Sequence, residues 1–235
     1  MSTNALIITA RNIHRHFGEG NLRTNVLKGI DVDVAHGEFL GIMGKSGAGK
    51  STLMYQLSVL DTPNEGTLTI DGTDVTKLNE QKQTSFRLTT LGYVFQNYAL
   101  VPELNARENI MLPLLMRGMN WHTAQSIADE SLISVGLDTK FTNLPAELSG
   151  GEQQRVAVAR AVAGKPKIIF ADEPTANLDS VSGKQIIDLL TDLHRNSNQT
   201  IVMVTHEPEY AVNCNRVVHM EDGQIISIEQ KNDLP

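Results

Sequence analysis

The sequence predicts an α/β fold: a mostly parallel core sheet, an N-terminal antiparallel β subdomain and an inserted α-helical subdomain. Three observations carry this. Four short runs, Phe39–Met43, Leu91–Phe95, Ile168–Ala171 and Ile201–Val204, are nearly continuously apolar, as parallel strands buried on both faces are. A glycine loop of the form G-x-x-x-x-G-K-[ST] directly follows the first run. Between Gln96 and Gly164 strand signals vanish and helical ones dominate.

Taken in order, Ile30, Val32 and Val34 alternate with Asp31 and Asp33, the pattern of a strand with one wet face. After the glycine loop, Leu53, Leu57 and Leu60 recur at i, i+4 and i+7, which predicts a helix packed on the sheet. Thr67–Ile70 reads as a strand closed by the turn Asp71-Gly72. His122–Val135 and Glu152–Ala163 read as helices, the second stopped by Gly164 with Pro166 beyond. Arg216–Met220 and Gln224–Ile228 flank Glu221-Asp222-Gly223 as a hairpin. The tail from Lys231 to Pro235 is expected to fray. The whole reads as a single domain, 1–235. Its α/β core is 1–96 and 152–235, and its helical insertion is 97–151.

Composition narrows the class. The chain has 235 residues, 40% hydrophobic and 20% charged, which suits one soluble globular domain. A single cysteine, Cys214, excludes an internal disulfide. The net charge of −7 argues against a strong grip on nucleic acid, which needs Lys and Arg against phosphate. The most apolar stretch, Ile110–Met116, is interrupted by Pro113 and falls short of the ~20 residues of a spanning helix. The N-terminus lacks a basic segment followed by a long apolar one, so no signal peptide is read. A cytosolic enzyme is the first expectation.

The chemistry gathers at strand ends, where open α/β sheets bind ligands. In Gly44-Lys45-Ser46-Gly47-Ala48-Gly49-Lys50-Ser51 the glycines let backbone N–H groups turn toward phosphate oxygens, and a helix N-terminus adds partial positive charge. Lys50 is placed to reach the β- and γ-phosphates and the Ser51 hydroxyl to hold Mg²⁺. Asp172, at the end of Ile168–Ala171, is the candidate carboxylate for Mg²⁺, and Glu173 the candidate general base for an attacking water. Gln96 ends Leu91–Phe95, where an amide can touch Mg²⁺ and orient water. His206 follows Ile201–Val204, where it can hydrogen-bond the γ-phosphate. Ser149 and Glu152 have the spacing of a capping box, and Ser149, Gly150 and Gly151 at that helix start form a second candidate anion site. Two phosphate sites in one chain are explained by a head-to-tail dimer, each nucleotide lying between one copy's glycine loop and the other copy's Ser149 turn.

The order of these motifs resembles the ATP-binding cassette (ABC) ATPases, a family of P-loop NTPases with a RecA-like core. GKSGAGKS (44–51) is similar to Walker A, IIFADE (168–173) to Walker B, LSGGE (148–152) to the family signature and ANLD (176–179) to the D-loop. Gln96 resembles the Q-loop glutamine and His206 the switch histidine. The resemblance spans essentially the whole chain. It implies ATP and Mg²⁺ as cofactors, with nucleotide contacts from Gly44, Lys45, Ser46, Gly47, Ala48, Gly49, Lys50, Ser51 and Thr52. It implies further contacts from Ser149, Gly150, Gly151 and Glu152 across the dimer, Asp179 near the partner copy's P-loop, and metal contacts from Ser51, Gln96 and Asp172. Catalytic roles fall to Glu173, His206, Gln96 and Lys50. Glu152 replaces a common glutamine while keeping the capping box. Phe17 stands where the family often stacks a tyrosine on adenine, with His14 and His16 as alternatives.

The resemblance also implies an integral membrane permease docking near Gln96–Met116, where Tyr98, Leu100, Val101, Pro102, Met111, Leu114, Leu115 and Met116 form an apolar, Met-rich stretch. The segments 93–115 and 144–161 resemble the lipoprotein-releasing and macrolide-export group, in which an ATPase pairs with a separate or fused permease. The short chain implies a separate permease, unless the sequence is a piece of a fused protein. The location implied is the cytoplasmic face of the inner membrane, peripheral through the permease. The expected function is ATP-driven export or extraction of a lipoprotein, macrolide or antimicrobial peptide. The alternatives are an ATPase driving a non-transporting regulator of wall hydrolysis, and a soluble ABC protein on ribosomes or DNA, which the acidic balance disfavours.

Overall fold

A computed structural model describes residues 5–231, so the expected fraying of the last four residues and the first four residues of the N-terminal reading lie outside it. In chain order the elements are β1 (Leu6–Phe17), β2 (Thr24–Ala35), β3 (Phe39–Gly44), α1 (Lys50–Leu57), β4 (Glu65–Ile70), β5 (Thr73–Asp74) and α2 (Glu80–Thr90). There follow β6 (Leu91–Val94), α3 (Ala106–Met116), α4 (Trp121–Ser134), α5 (Gly150–Ala163), β7 (Ile168–Asp172), α6 (Ser180–Ser197), β8 (Thr200–Val204), α7 (Pro208–Ala211), β9 (Arg216–Glu221) and β10 (Gln224–Gln230). They form two compact units, one from the described part of Met1–Thr84 and His194–Pro235, the other Ser85–Leu193.

The first unit holds two sheets. One is antiparallel, in the order β2-β1-β4-β5. In the other, β10-β9-β3-β8, the strand β3 runs parallel to both β8 and β9, and β9 turns back into β10. The parallel pair β3–β8 is the buried one: Phe39, Leu40, Ile42 and all of β8 are closed to solvent. The strand β1 escapes a period-two reading because its register shifts at Ala10/Ile13, at Ile13/His14 and again at Arg15/His16, with Asn12 in a left-handed conformation (φ 53°). The predicted helix after the glycine loop is shorter than the leucine spacing implied. α1 ends at Leu57, Val59 turns left-handed (φ 60°), and Leu60 lies outside the helix, exposed. Leu53 and Leu57 are the buried pair.

The second unit pairs β6 and β7 in parallel, Val94 opposite Ala171. Its helices α3, α4 and α5 share one core of Ile110, Met111, Leu114, Ala128, Leu132, Val156 and Ala159, among others. Asn105 and Glu108 close a capping box at the start of α3, and Pro113 sits within that helix. The expectation that Met111 and Leu114 face a partner is corrected: both are core, because the inward face of α3 is the one that meets α4 and α5. Leu112 and Met116, on the other face, are exposed. No helix among the described residues is long and apolar enough to cross a membrane.

The bend after β3 is seated on the β9–β10 turn. Gly223 N–H donates to the Ala48 carbonyl (3.1 Å), and its own carbonyl accepts from Lys28 N–H (2.9 Å). Gly223 has φ 79°, and a Cβ there meets the Val26 carbonyl oxygen at 2.2 Å. Gly44 is as confined, its would-be Cβ lying 2.3 Å from the Met220 carbonyl oxygen. Both opposing groups are backbone and have little room to move. Gly223→Ala is therefore expected to lower the unfolding free energy by about 2 kcal/mol, measured by urea denaturation. An unchanged midpoint contradicts this account of the turn.

Candidate active site

In the first unit β3 ends at Gly44 and the chain turns through Gly47 (φ 81°) and Gly49 (φ 95°) into α1. Only glycine takes these angles without strain, and the left-handed Gly49 is the residue that caps α1. The Lys50 ammonium is mostly buried and donates to the carbonyls of Gly44 (2.9 Å) and Lys45 (3.1 Å), so it lies folded back over the loop. A Cβ at Gly47 meets no atom within 4 Å, which leaves open space beside this cradle. Lys45, Ser46 and Gly47 are exposed, Ala48 is buried, and Ser51 and Thr52 are half-buried in the first turn of α1. The loop thus offers backbone N–H groups, a helix N-terminus and an ammonium in one place, a fit to a polyphosphate.

Two further predicted residues belong to this unit. His206 stands two residues beyond the end of β8 and is exposed. The ends of β8 and β3 are neighbours, Val204 opposite Ile42, with Thr205 N–H donating to the Ile42 carbonyl (3.1 Å). The Phe17 ring, at the end of β1, is 48% exposed, enough to offer a face to a ligand.

The second unit holds the rest. Gln96 and Glu173 lie two residues beyond the paired Val94 and Ala171, so they share one sheet edge. Asp172 is buried at the end of β7. Glu173 turns left-handed (φ 43°) immediately before Pro174, a residue that already disfavours the right-handed helical region for its predecessor. Ser51 in the first unit and Asp172 in the second both present hard oxygen atoms, the donor type that Mg²⁺ takes.

The turn before α5 is the predicted capping box. Glu152 N–H donates to Ser149 Oγ (3.2 Å), and Ser149 N–H donates to Glu152 Oε2 (2.8 Å). The Ser149 backbone N–H, with Lys140 3.2 Å away, holds the Glu152 carboxyl below the usual carboxylate range. Asp179 caps α6 through Val181 N–H, Ser182 N–H and Ser182 Oγ, and those bonds from Ser182 lower its pKa. A Cβ on Gly151 comes within 2.9 Å of Ser182 Oγ and 3.0 Å of Ser182 Cβ, so a side chain there pushes against Ser182.

Three side chains that sequence reasoning missed tie this second group together. Gln154, fully buried in α5, donates to the carbonyls of Pro174 (2.7 Å) and Phe95 (3.3 Å). Asn177 donates to the Gln96 carbonyl (2.9 Å). Arg160 donates to the carbonyls of Tyr98 (2.8 Å) and Ala99 (2.5 Å), two residues held at positive φ. Burial lowers the Arg160 pKa to about 10. The available signal was a glutamine and an arginine at buried positions of the helical repeat in α5, where an apolar residue is the default. Gln154→Leu leaves the Pro174 carbonyl without its donor and takes one of two donors from the Phe95 carbonyl, which also accepts from Tyr98 N–H (3.2 Å). It is expected to cost about 1–3 kcal/mol in chemical denaturation, and an unchanged stability contradicts the tether.

Residues 27–176 match the family described as ABC transporter. The chain is 44% identical over 225 residues to the lipoprotein-releasing system ATP-binding protein LolD of Syntrophotalea carbinolica, covering 96% of this chain and 99% of that one. It is 44% identical over 226 residues to the macrolide export ATP-binding/permease protein MacB of Neisseria gonorrhoeae, of which it spans 35%. A dimeric ATP-binding cassette in a post-hydrolysis state, bound to ADP and Pi, is similar in structure with a TM-score of 0.89. Its sequence is 37% identical, and the match covers 95% of this chain and 98% of that one.

Proposed function

Because the chain belongs to the ABC transporter family, as an ATP-hydrolysing cassette, we propose that it dimerises head-to-tail on Mg-ATP and uses hydrolysis to drive an integral membrane permease. The cargo proposed is lipophilic or peptidic: a lipoprotein, a macrolide or an antimicrobial peptide. The chain's membrane location is then peripheral, at the cytoplasmic face through the permease, and nucleic acid has no part in the function.

The observation that carries this reading is the pair of anion-binding features in one chain, the glycine loop in the first unit and the capped Ser149 turn in the second. In the proposed dimer the glycine loop of one copy holds the β- and γ-phosphates, with Lys50 leaving its own loop carbonyls to reach them. Ser149, Gly150 and Gly151 of the other copy close over the γ-phosphate from the far side, with Asp179 beside that loop. Phe17 stacks on the adenine. Mg²⁺, held through Ser51, Asp172 and Gln96, supplies charge neutralisation at the phosphates when bound. Glu173 takes the proton of the attacking water, and His206 hydrogen-bonds the γ-phosphate. These roles use electrostatic positioning, which supplies most of the catalysis in phosphoryl transfer.

The permease is proposed to dock on the second unit near Gln96–Met116. With Met111 and Leu114 in the core, Pro102 and Met116 are the exposed members of that stretch, Tyr98, Leu100, Val101 and Leu115 are half-buried, and Leu112 is exposed beside them. Because Gln96, the Asn177 segment and α5 are hydrogen-bonded to one another, a push on the Gln96 segment is transmitted to the Ser149 turn. That is the physical content of the proposed coupling.

Glu173→Gln removes the base and keeps the shape. It is expected to bind ATP normally, to lose hydrolysis by at least about a hundredfold, and to sediment as a dimer with Mg-ATP. Sedimentation showing only monomers at saturating Mg-ATP overturns the proposed sandwich.

A further inference from the structure

We propose that Arg15 is a positioning residue for the nucleotide base, its guanidinium backing one face of Phe17 so that the other face binds adenine more tightly. This rests on the reading that Phe17 stacks on adenine.

Arg15 and Phe17 stand two apart on β1, either side of the register shift at Arg15/His16, and their side chains meet there. The Arg15 guanidinium carbon lies 4.6 Å from the centroid of the Phe17 ring. A planar cation at that distance is drawn to the ring's negative face. It does not sit there loosely. Arg15 Nε is 2.7 Å from Asp61 Oδ2, Nη2 donates to Asp61 Oδ1 (2.9 Å), and Nη1 donates to Asn64 Oδ1 (3.3 Å).

The anchors are themselves fixed. Asp61 also accepts from Gln56 Nε2 and from Thr62 N–H, both at 2.8 Å. Asn64 Oδ1 accepts from His16 N–H (2.8 Å), and Asn64 N–H donates to the His14 carbonyl (2.9 Å). Gln56 is fully buried in α1, the helix that opens with Lys50. The chain of contacts therefore runs from the ring, through the guanidinium and carboxylate, into the helix behind the glycine loop.

Two consequences follow for a base arriving on the exposed face. First, the ring is held in one orientation, so less rotamer freedom is lost on binding. Second, a cation beneath the ring draws π density away from the face that meets adenine, which lessens repulsion between the two π clouds. Neither effect acts on the phosphates, and this gives the test its selectivity.

Isothermal titration of the full chain with Mg-ATP and, separately, with Mg-tripolyphosphate distinguishes the outcomes. Arg15→Met keeps the stem and removes the cation. It is expected to weaken Mg-ATP binding about three- to fivefold and to leave tripolyphosphate binding unchanged. Arg15→Lys is expected to recover part of the loss, and Asp61→Asn, which loosens the guanidinium, to reproduce part of it. In a Phe17→Ala background Arg15→Met is expected to add nothing. Equal weakening of both ligands by Arg15→Met overturns the proposal in favour of a purely structural ion pair. So does selective loss of ATP affinity in Phe17→Ala with none in Arg15→Met, an outcome that leaves the adenine platform standing. If Phe17→Ala itself weakens both ligands alike, or neither, the platform fails and the role of Arg15 with it.

Discussion

The constraint on which the proposed chemistry depends is the bend from β3 into α1. It must turn sharply, bring several N–H groups to one point and start a helix there, all within a few residues. Gly44, Gly47 and Gly49 meet this with backbone angles that side chains rarely adopt. Gly44 has no room for a side chain even if the angle were allowed, because the β9 backbone lies against it. The price of such a loop is backbone entropy, and the hydrogen bond from Gly223 to Ala48 is part of what offsets it. Lys50 folded onto the carbonyls of Gly44 and Lys45 shows how the loop satisfies its own cation. A polyphosphate offers that ammonium a charge-assisted partner instead of two neutral carbonyls, a stronger interaction.

The second unit solves a different problem: holding polar loops in register at the end of a short parallel pair. Its means are buried amides and a buried guanidinium rather than apolar packing. Gln154 serves the loops after β6 and β7 at once, and Arg160 holds Tyr98 and Ala99 in left-handed conformations. Glu173 is also at positive φ in this unit's loops, as are Tyr98, Ala99 and Lys165. Strain of this kind persists only where the surroundings over-determine it, and it gathers where geometry matters more than stability.

Much of this was legible in the sequence, and what escaped did so for identifiable reasons. The four apolar runs became strands because a strand buried on both faces has no polar positions to disguise it. The glycine loop and the capping box at Ser149 and Glu152 were legible because backbone geometry demands those residue types at fixed spacing. The strand β1 was not, since its register shifts move successive apolar residues out of alternation. Leu60 copied a helical spacing that α1 does not extend to, because spacing carries no information about where Val59 turns left-handed. Met111 and Leu114 shared an apolar run with Leu112 and Met116, and only the packing of α3 on α4 and α5 separates the inward pair from the outward one. The tether residues Gln154 and Arg160 sit in a helix whose pattern announces burial but not what a buried amide holds.

The central claim is that each hydrolytic site is built from two copies, the glycine loop of one and the Ser149 turn of the other. Complementation between two inactive chains tests it most directly. Lys50→Ala disables the loop and Gly151→Asp the turn, so a head-to-tail heterodimer of the two contains one doubly damaged site and one intact site. Equal mixing is then predicted to restore ATP hydrolysis to about a quarter of the native rate, from half the dimers carrying one working site each. Hydrolysis that stays at the level of the separate variants, while both remain folded, contradicts the composite site.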